Sequence, residues 1–190
     1  MINTPQSDAV KNGWILTARG HKVYPCGAPG DSLYLGDSLY LEDIAHALSM
    51  QCRWNGHTRW FYSVAQHCVL TSEISKCGEA LMHDATEAYI SDVPRPVKAQ
   101  MPEFKAVEER LMIAVMRRFD LNYPLPDEVH TADNLMLVWE ARDLFSPARH
   151  RSIFGREAAS QIHGLPRIEP WDQLTAKRKF LQRAEYFGLA

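Results

Sequence analysis

Apolar residues along the chain follow two periods. Near the start, Trp14-Ile15-Leu16-Thr17 and Val23-Tyr24-Pro25 flank Arg19-Gly20, which predicts a short hairpin. Cys26 to Asp31 reads as a loop. From Asp43 the period becomes helical, and Ile44, Ala47 and Leu48 give a short amphipathic stretch ending before a loop at Arg53–Thr58. Phe61, Val64, Ala65, Cys68 and Val69 predict a helix from about Arg59 to Ser75. Ala80, Leu81, Ala85, Ala88 and Tyr89 predict one helix over about Glu79–Ile90, stopped by the loop that holds Pro94 and Pro96. Phe104, Val107, Leu111, Ala114 and Val115 mark Glu103–Phe119 as helical, and a proline-rich turn at Asn122–Pro126 follows. Val129, Ala132, Leu135, Met136, Trp139 and Leu144 mark Asp127–Phe145. Residues 146–170 read as irregular, and a last helix spans about Trp171–Phe187.

The expected fold is all-α with a small N-terminal hairpin, in one domain over 1–190. Its core occupies 41–145, after an extension at 1–40 too short to hold a core of its own and before a C-terminal loop and helix at 146–190. The 190 residues are 46% hydrophobic, enough to bury a sizeable core. A formal net charge of −2 gives no bulk case for binding nucleic acid or anionic membrane, so an anionic ligand has to be met by a local basic cluster. No apolar run has the length of a membrane span and MINTPQSDAVKNGW lacks a signal-peptide core, so the expected location is the cytoplasm. Cys26, Cys52, Cys68 and Cys77 lack CxxC spacing and read as free thiols, Cys68 as core filler.

Three predicted helices carry metal-binding groups amid apolar neighbours: His67 in VAQHCV, His83-Asp84 in ALMHDA and Asp133 in TADNL. Such groups are costly to bury unless paired or coordinated, and one divalent cation satisfies two imidazoles and two carboxylates together. This N2O2 set suits one transition metal ion (Mn, Co, Fe, Zn or Ni) better than Ca or Mg. Singly, each residue also has a plain reading: a hydrogen-bonded structural His, or an Asp at a helix cap or on the surface. Jointly they predict ligand atoms converging on one ion.

The pattern His67…His83-Asp84…Asp133 resembles the HD-domain superfamily of metal-dependent phosphohydrolases over about residues 43–145. Arg53-Trp54, Tyr62–His67, His83–Tyr89 and Asp92–Lys98 look like the small-nucleotide branch, the bacterial 5′-deoxynucleotidases and phage-type deoxynucleoside triphosphate triphosphohydrolases. With Gly56-His57-Thr58 and the Trp14–Gly20 opening, the string is similar to prophage-encoded members. The resemblance implies an HD-domain helical bundle and hydrolysis of (deoxy)nucleoside 5′-monophosphates to nucleoside and phosphate by metal-activated water. The alternative is release of triphosphate from deoxynucleoside triphosphates. A second is a non-catalytic metal-binding module of a prophage.

Glu87 follows His83 by four residues and Asp84 by three, on the same helical face, where it can act as general base; the plain reading is an exposed helical Glu. Arg53 matches the family's phosphate-contacting arginine and otherwise reads as a solvated loop residue. Trp54 either walls a nucleoside pocket or fills core. Asp92 either ends the helix at a turn or, as the resemblance implies, reads the sugar 3′-hydroxyl and screens for 2′-deoxyribose. His57, Arg95 and Lys98 are further basic candidates for a longer polyphosphate, with solvated or capping roles as alternatives. The expected partners are a small nucleotide and, since the resembling enzymes are oligomeric and the last helix offers Phe180, Leu181, Phe187 and Leu189, a second copy of the chain.

Overall fold

Burial of one apolar face per helix builds the fold, seen in a computed structural model that describes residues 13–27, 38–146 and 160–189. Residues 28–31 of the first expected loop and 147–159 of the irregular stretch lie outside the described residues. Apart from a two-stranded hairpin the described fold is all-α, as the apolar periodicity predicts. The hairpin pairs β1 (Ile15–Leu16) with β2 (Lys22–Val23), Ile15 opposite Val23 and Leu16 opposite Lys22. Asp43 fastens it to α1 (Leu41–Met50) by accepting from the Arg19 amide at 3.1 Å and meeting His21 Nδ1 at 2.8 Å.

The central helix is α2 (Val64–Ser75), buried at every position from Val64 to Ser72. Beside it run α3 (Gly78–Met82), α7 (Asp127–Leu144) and α8 (Gln173–Tyr186), and α6 (Pro102–Arg118) packs on α3. Val64, Ala65, Cys68 and Val69 join a large apolar cluster with Ile44, Leu81, Leu111 and Phe180. Leu70 joins a second cluster with Tyr62, Met136, Trp139, Leu144, Ile162 and Ile168. His67 lies on α2 between these contributions, so its imidazole emerges at the polar seam of two dry regions.

Three elements depart from the expected boundaries. First, α2 begins at Val64, five residues later than predicted, because the Ser63 hydroxyl caps it by accepting from the Gln66 amide at 3.1 Å. Phe61 and Tyr62 are extended instead, and the Tyr62 carbonyl accepts from the Arg53 amide at 2.9 Å. Second, the helix expected over Glu79–Ile90 is broken into α3 and a one-turn α4 (Glu87–Ile90). Between them Ala85 and Glu87 donate three residues back, to Met82 and Asp84, each at 3.0 Å. The Ala80 carbonyl, which a continuing helix would offer to the Asp84 amide, accepts instead from His83 Nδ1 at 2.7 Å. Third, the proline loop after Asp92 holds a one-turn α5 (Arg95–Lys98) with Pro96 in its first turn, where a missing N–H costs nothing.

Along α8 and just beyond it, Phe180 is fully buried and Leu181, Phe187 and Leu189 are partly buried against the large cluster, while Leu174 and Tyr186 stay exposed, so the helix keeps part of its apolar surface. Ser63→Ala removes the α2 cap and is expected to lower unfolding free energy by about 1 kcal/mol in urea titration, with an unchanged denaturant slope.

Candidate metal centre

The break between α3 and α4 sets the ring of His83. Its Nδ1 carries the proton donated to the Ala80 carbonyl, so Nε2 presents a lone pair inward. His67, fully buried, is set in the same way: Nδ1 lies 2.6 Å from Glu140 Oε1 and Nε2 points inward. The two Nε2 atoms meet at 3.2 Å. Asp84 Oδ2 lies 3.5 Å from His67 Nε2 and 3.3 Å from His83 Nε2. Asp133 Oδ1 lies 3.3 Å and 3.9 Å from the same two atoms. All four predicted ligands therefore converge.

Two lone pairs and two carboxylate oxygens at this spacing repel unless a cation stands between them. Donors about 2.1 Å from one ion lie about 3.0–3.4 Å apart, close to the separations found. Asp84 Oδ2 is buried with no hydrogen-bond partner, as a ligand atom awaiting its ion would be. It stands within 3.5 Å of both imidazole Nε2 atoms, and His67, His83 and Asp133 form one group that could hold a metal ion. Without one, a proton serves: burial and Arg53 push His67 down, but Glu140 and Asp133 outweigh both and hold it at about 9. Cys68 also lies near His83 and Asp84, but burial pushes its thiol up, and it stays a neutral core group.

Glu140 was not foreseen from sequence, yet it organises the centre. Fully buried, it accepts from Tyr62 Oη at 3.0 Å and His67 Nδ1 at 2.6 Å on one oxygen, and from Trp54 Nε1 at 2.7 Å on the other. Arg53 Nη2 stands 3.6 Å from that second oxygen, and Arg53 Nη1 stands 3.6 Å from Asp84 Oδ2. Burial alone would raise Glu140, but Arg53 and His67 hold it at about 2. A sequence signal exists: Glu140 follows Asp133 by seven residues, two turns along one face of α7, between the buried Trp139 and Ala141.

A cavity of about 600 Å³ opens above the centre. Arg53, Trp54, His57, Glu87 and Asp92 line it with Asp84 and Asp133, and Phe145 and Leu137 form its apolar wall. Trp54 is both wall and structure, its ring edge-on to Phe145 with centroids 5.1 Å apart while its N–H holds Glu140. Its backbone is left-handed, φ 55, as is Asn55 at φ 49. Such residues cost about 1–3 kcal/mol each and persist where surrounding contacts over-determine them. Arg53 Nε and Glu87 Oε2 are buried in this cavity without partners. Burial, with like charge from Asp84 and Asp92, pushes Glu87 well above the usual carboxylate range.

Arg95 and Lys98 line the cavity too, but neither is free. Arg95 pairs with Asp133 Oδ2 and reaches Asn134 at 3.3 Å, and Lys98 pairs with Glu108 of α6. In this arrangement Arg95 holds the carboxylate of Asp133, one of the groups that could hold a metal ion.

The chain is 44% identical over 111 residues to the uncharacterized protein YfdR of Escherichia coli K12, a match covering 57% of this chain and 62% of YfdR. It is 35% identical over 156 residues to the uncharacterized protein RCAP_rcc00048 of Rhodobacter capsulatus, covering 72% of this chain and 80% of that protein. The chain belongs to the same family as RCAP_rcc00048. No broader family model matches it.

Glu140→Gln is expected to weaken Mn binding about 10- to 100-fold by calorimetric titration, because the imidazole loses its charged orienting partner. Below about pH 9 metal-free His67 carries a proton that the metal must displace. Apparent affinity should therefore rise with pH up to that point, with proton release seen as a buffer-dependent binding enthalpy.

Proposed function

We propose that the chain is a metal-dependent phosphohydrolase that converts (deoxy)nucleoside 5′-monophosphates and water to nucleoside and phosphate. The observation that carries this reading is the cavity itself, lined by the buried Arg53 guanidinium, the raised Glu87 carboxylate, and Asp84 and Asp133, whose carboxylates meet the His67 and His83 imidazoles beneath it. His67, His83, Asp84 and Asp133 would hold the ion, of the Mn, Co, Fe, Ni or Zn kind. When bound, such an ion supplies Lewis acidity to a phosphoryl group and lowers the pKa of water.

The chain's own residues supply the rest. Arg53 is fixed from behind by Glu140, lines the cavity and has a buried Nε without a partner, and its guanidinium suits phosphate oxygens whose charge rises during transfer. Glu87 accepts a proton of the attacking water as the bond from phosphorus to the sugar 5′-oxygen breaks, and that proton then passes to the leaving 5′-oxygen, giving the nucleoside hydroxyl. Trp54 and Phe145 flank the nucleoside, and Asp92 accepts from the sugar 3′-hydroxyl. Arg95 and Lys98 are paired with Asp133 and Glu108, which leaves Arg53, held more loosely by Glu140 and Asp84 at 3.6 Å, as the guanidinium for one phosphate rather than three. The protein acts in the cytoplasm and is of prophage type in this reading.

Purified protein with added Mn or Co should release inorganic phosphate from dAMP, and Asp84→Asn should abolish this. Tripolyphosphate from dNTPs instead would replace the monophosphatase by a triphosphohydrolase. Neither product would leave a metal-binding module. Glu87→Gln should lower kcat about 10²- to 10⁴-fold. Because Glu87 must be deprotonated to act and its pKa is raised, the acid limb of kcat/KM should lie above the ordinary Glu value of 4.5. Activity should fall as pH drops through that limb, and Glu87→Gln should remove it.

A further inference from the structure

None of the steps above uses Gln51, yet its side chain joins two elements that carry them. Gln51 Nε2 donates to the Glu87 carbonyl at 2.8 Å, and Gln51 Oε1 accepts from the Asp92 amide at 3.3 Å. The Glu87 carbonyl also accepts from the Ser91 amide at 2.9 Å, and Ser91 reverses the chain with φ 71. The main chain of Gln51 is anchored as well: its carbonyl accepts from the Val64 amide at 3.1 Å, at the head of the helix bearing His67. Two residues on, the Arg53 amide is held by Tyr62 at 2.9 Å. Gln51 thus stands where the Arg53 segment, α2 and the Glu87–Asp92 step meet.

That step needs an external brace. A single helical turn followed by a left-handed residue is not stable alone, because nucleation fixes many dihedrals for few hydrogen bonds. The Glu87 and Asp92 carboxylates also repel each other in a poorly solvated place. Only a neutral side chain with both a donor and an acceptor can close the step without adding charge, which a carboxamide supplies.

We propose that Gln51 is a positioning residue that fixes the Glu87 carbonyl and the Asp92 amide in one register, and so sets the spacing between water-assisting and sugar-reading carboxylates. The role rests on the hydrolase reading of Glu87 and Asp92, but the brace itself can be read without turnover.

The test is Gln51→Met, close in shape and lacking both hydrogen bonds, in the full chain loaded with Mn. Amide exchange at Ser91–Val93 should accelerate about tenfold, while Mn affinity stays at the wild-type value. kcat/KM for dAMP should fall about 10- to 100-fold, and the preference for dAMP over AMP should shrink. Wild-type exchange at Ser91–Val93 overturns the proposal, and so does wild-type sugar preference in an active variant. If the wild-type protein hydrolyses no nucleotide, the hydrolase reading fails. Faster exchange confined to Ser91–Val93 then still supports the brace, and unchanged exchange overturns it.

Discussion

The carboxylate of Glu140 is the contact on which the centre depends. It is buried from solvent, a costly place for a charge, and it is tolerable only because three donors and the Arg53 guanidinium surround it. Those partners come from separate parts of the chain: the turn after α1, the extended lead-in to α2, and α2 itself. One satisfied charge on α7 thereby fixes the imidazole of His67, the indole of Trp54 and the guanidinium of Arg53 together. Removing it would leave the buried Arg53 with Asp84 as its remaining partner and a histidine free to rotate, so packing and chemistry are coupled at this point.

The backbone around the centre bends to the same demand. The His83–Thr86 turn gives up regular helix so that one ring nitrogen is held by a carbonyl and the other faces inward. The left-handed stretch at Trp54 and Asn55 reaches Glu140 with an indole N–H while leaving the ring on the cavity wall. In both places local preference yields to a polar group that must be satisfied in a dry setting. The apolar clusters on either side of α2 supply that dryness and the rigidity that keeps the donor atoms in place.

Charge placement gives the cavity its direction. Arg53 is braced from behind by Glu140 and Asp84, whereas Arg95 and Lys98 are balanced by carboxylates at the rim. Arg53, deep in the cavity, is thus held between two carboxylates beside side chains that could hold a metal ion.

The all-α class, the hairpin and the long helices α6, α7 and α8 were legible in the sequence, because an apolar stripe at helical spacing has one economical burial. His67, His83, Asp84 and Asp133 were legible as a set, since polar groups among core residues need a shared reason to be there. Glu140 carried a weaker signal, seven residues beyond Asp133, and Gln51 carried none, because its partners are main-chain atoms thirty-six and forty-one residues away. The start of α2 and the break after Met82 were misread because they depend on a cap and on a ring-to-carbonyl hydrogen bond, which periodicity does not encode. Likewise the sequence offered Arg95 and Lys98 as basic candidates without fixing their targets. Folding paired them with Asp133 and Glu108, because charges take the nearest partner in space, and nearness between distant residues exists only once the chain is packed.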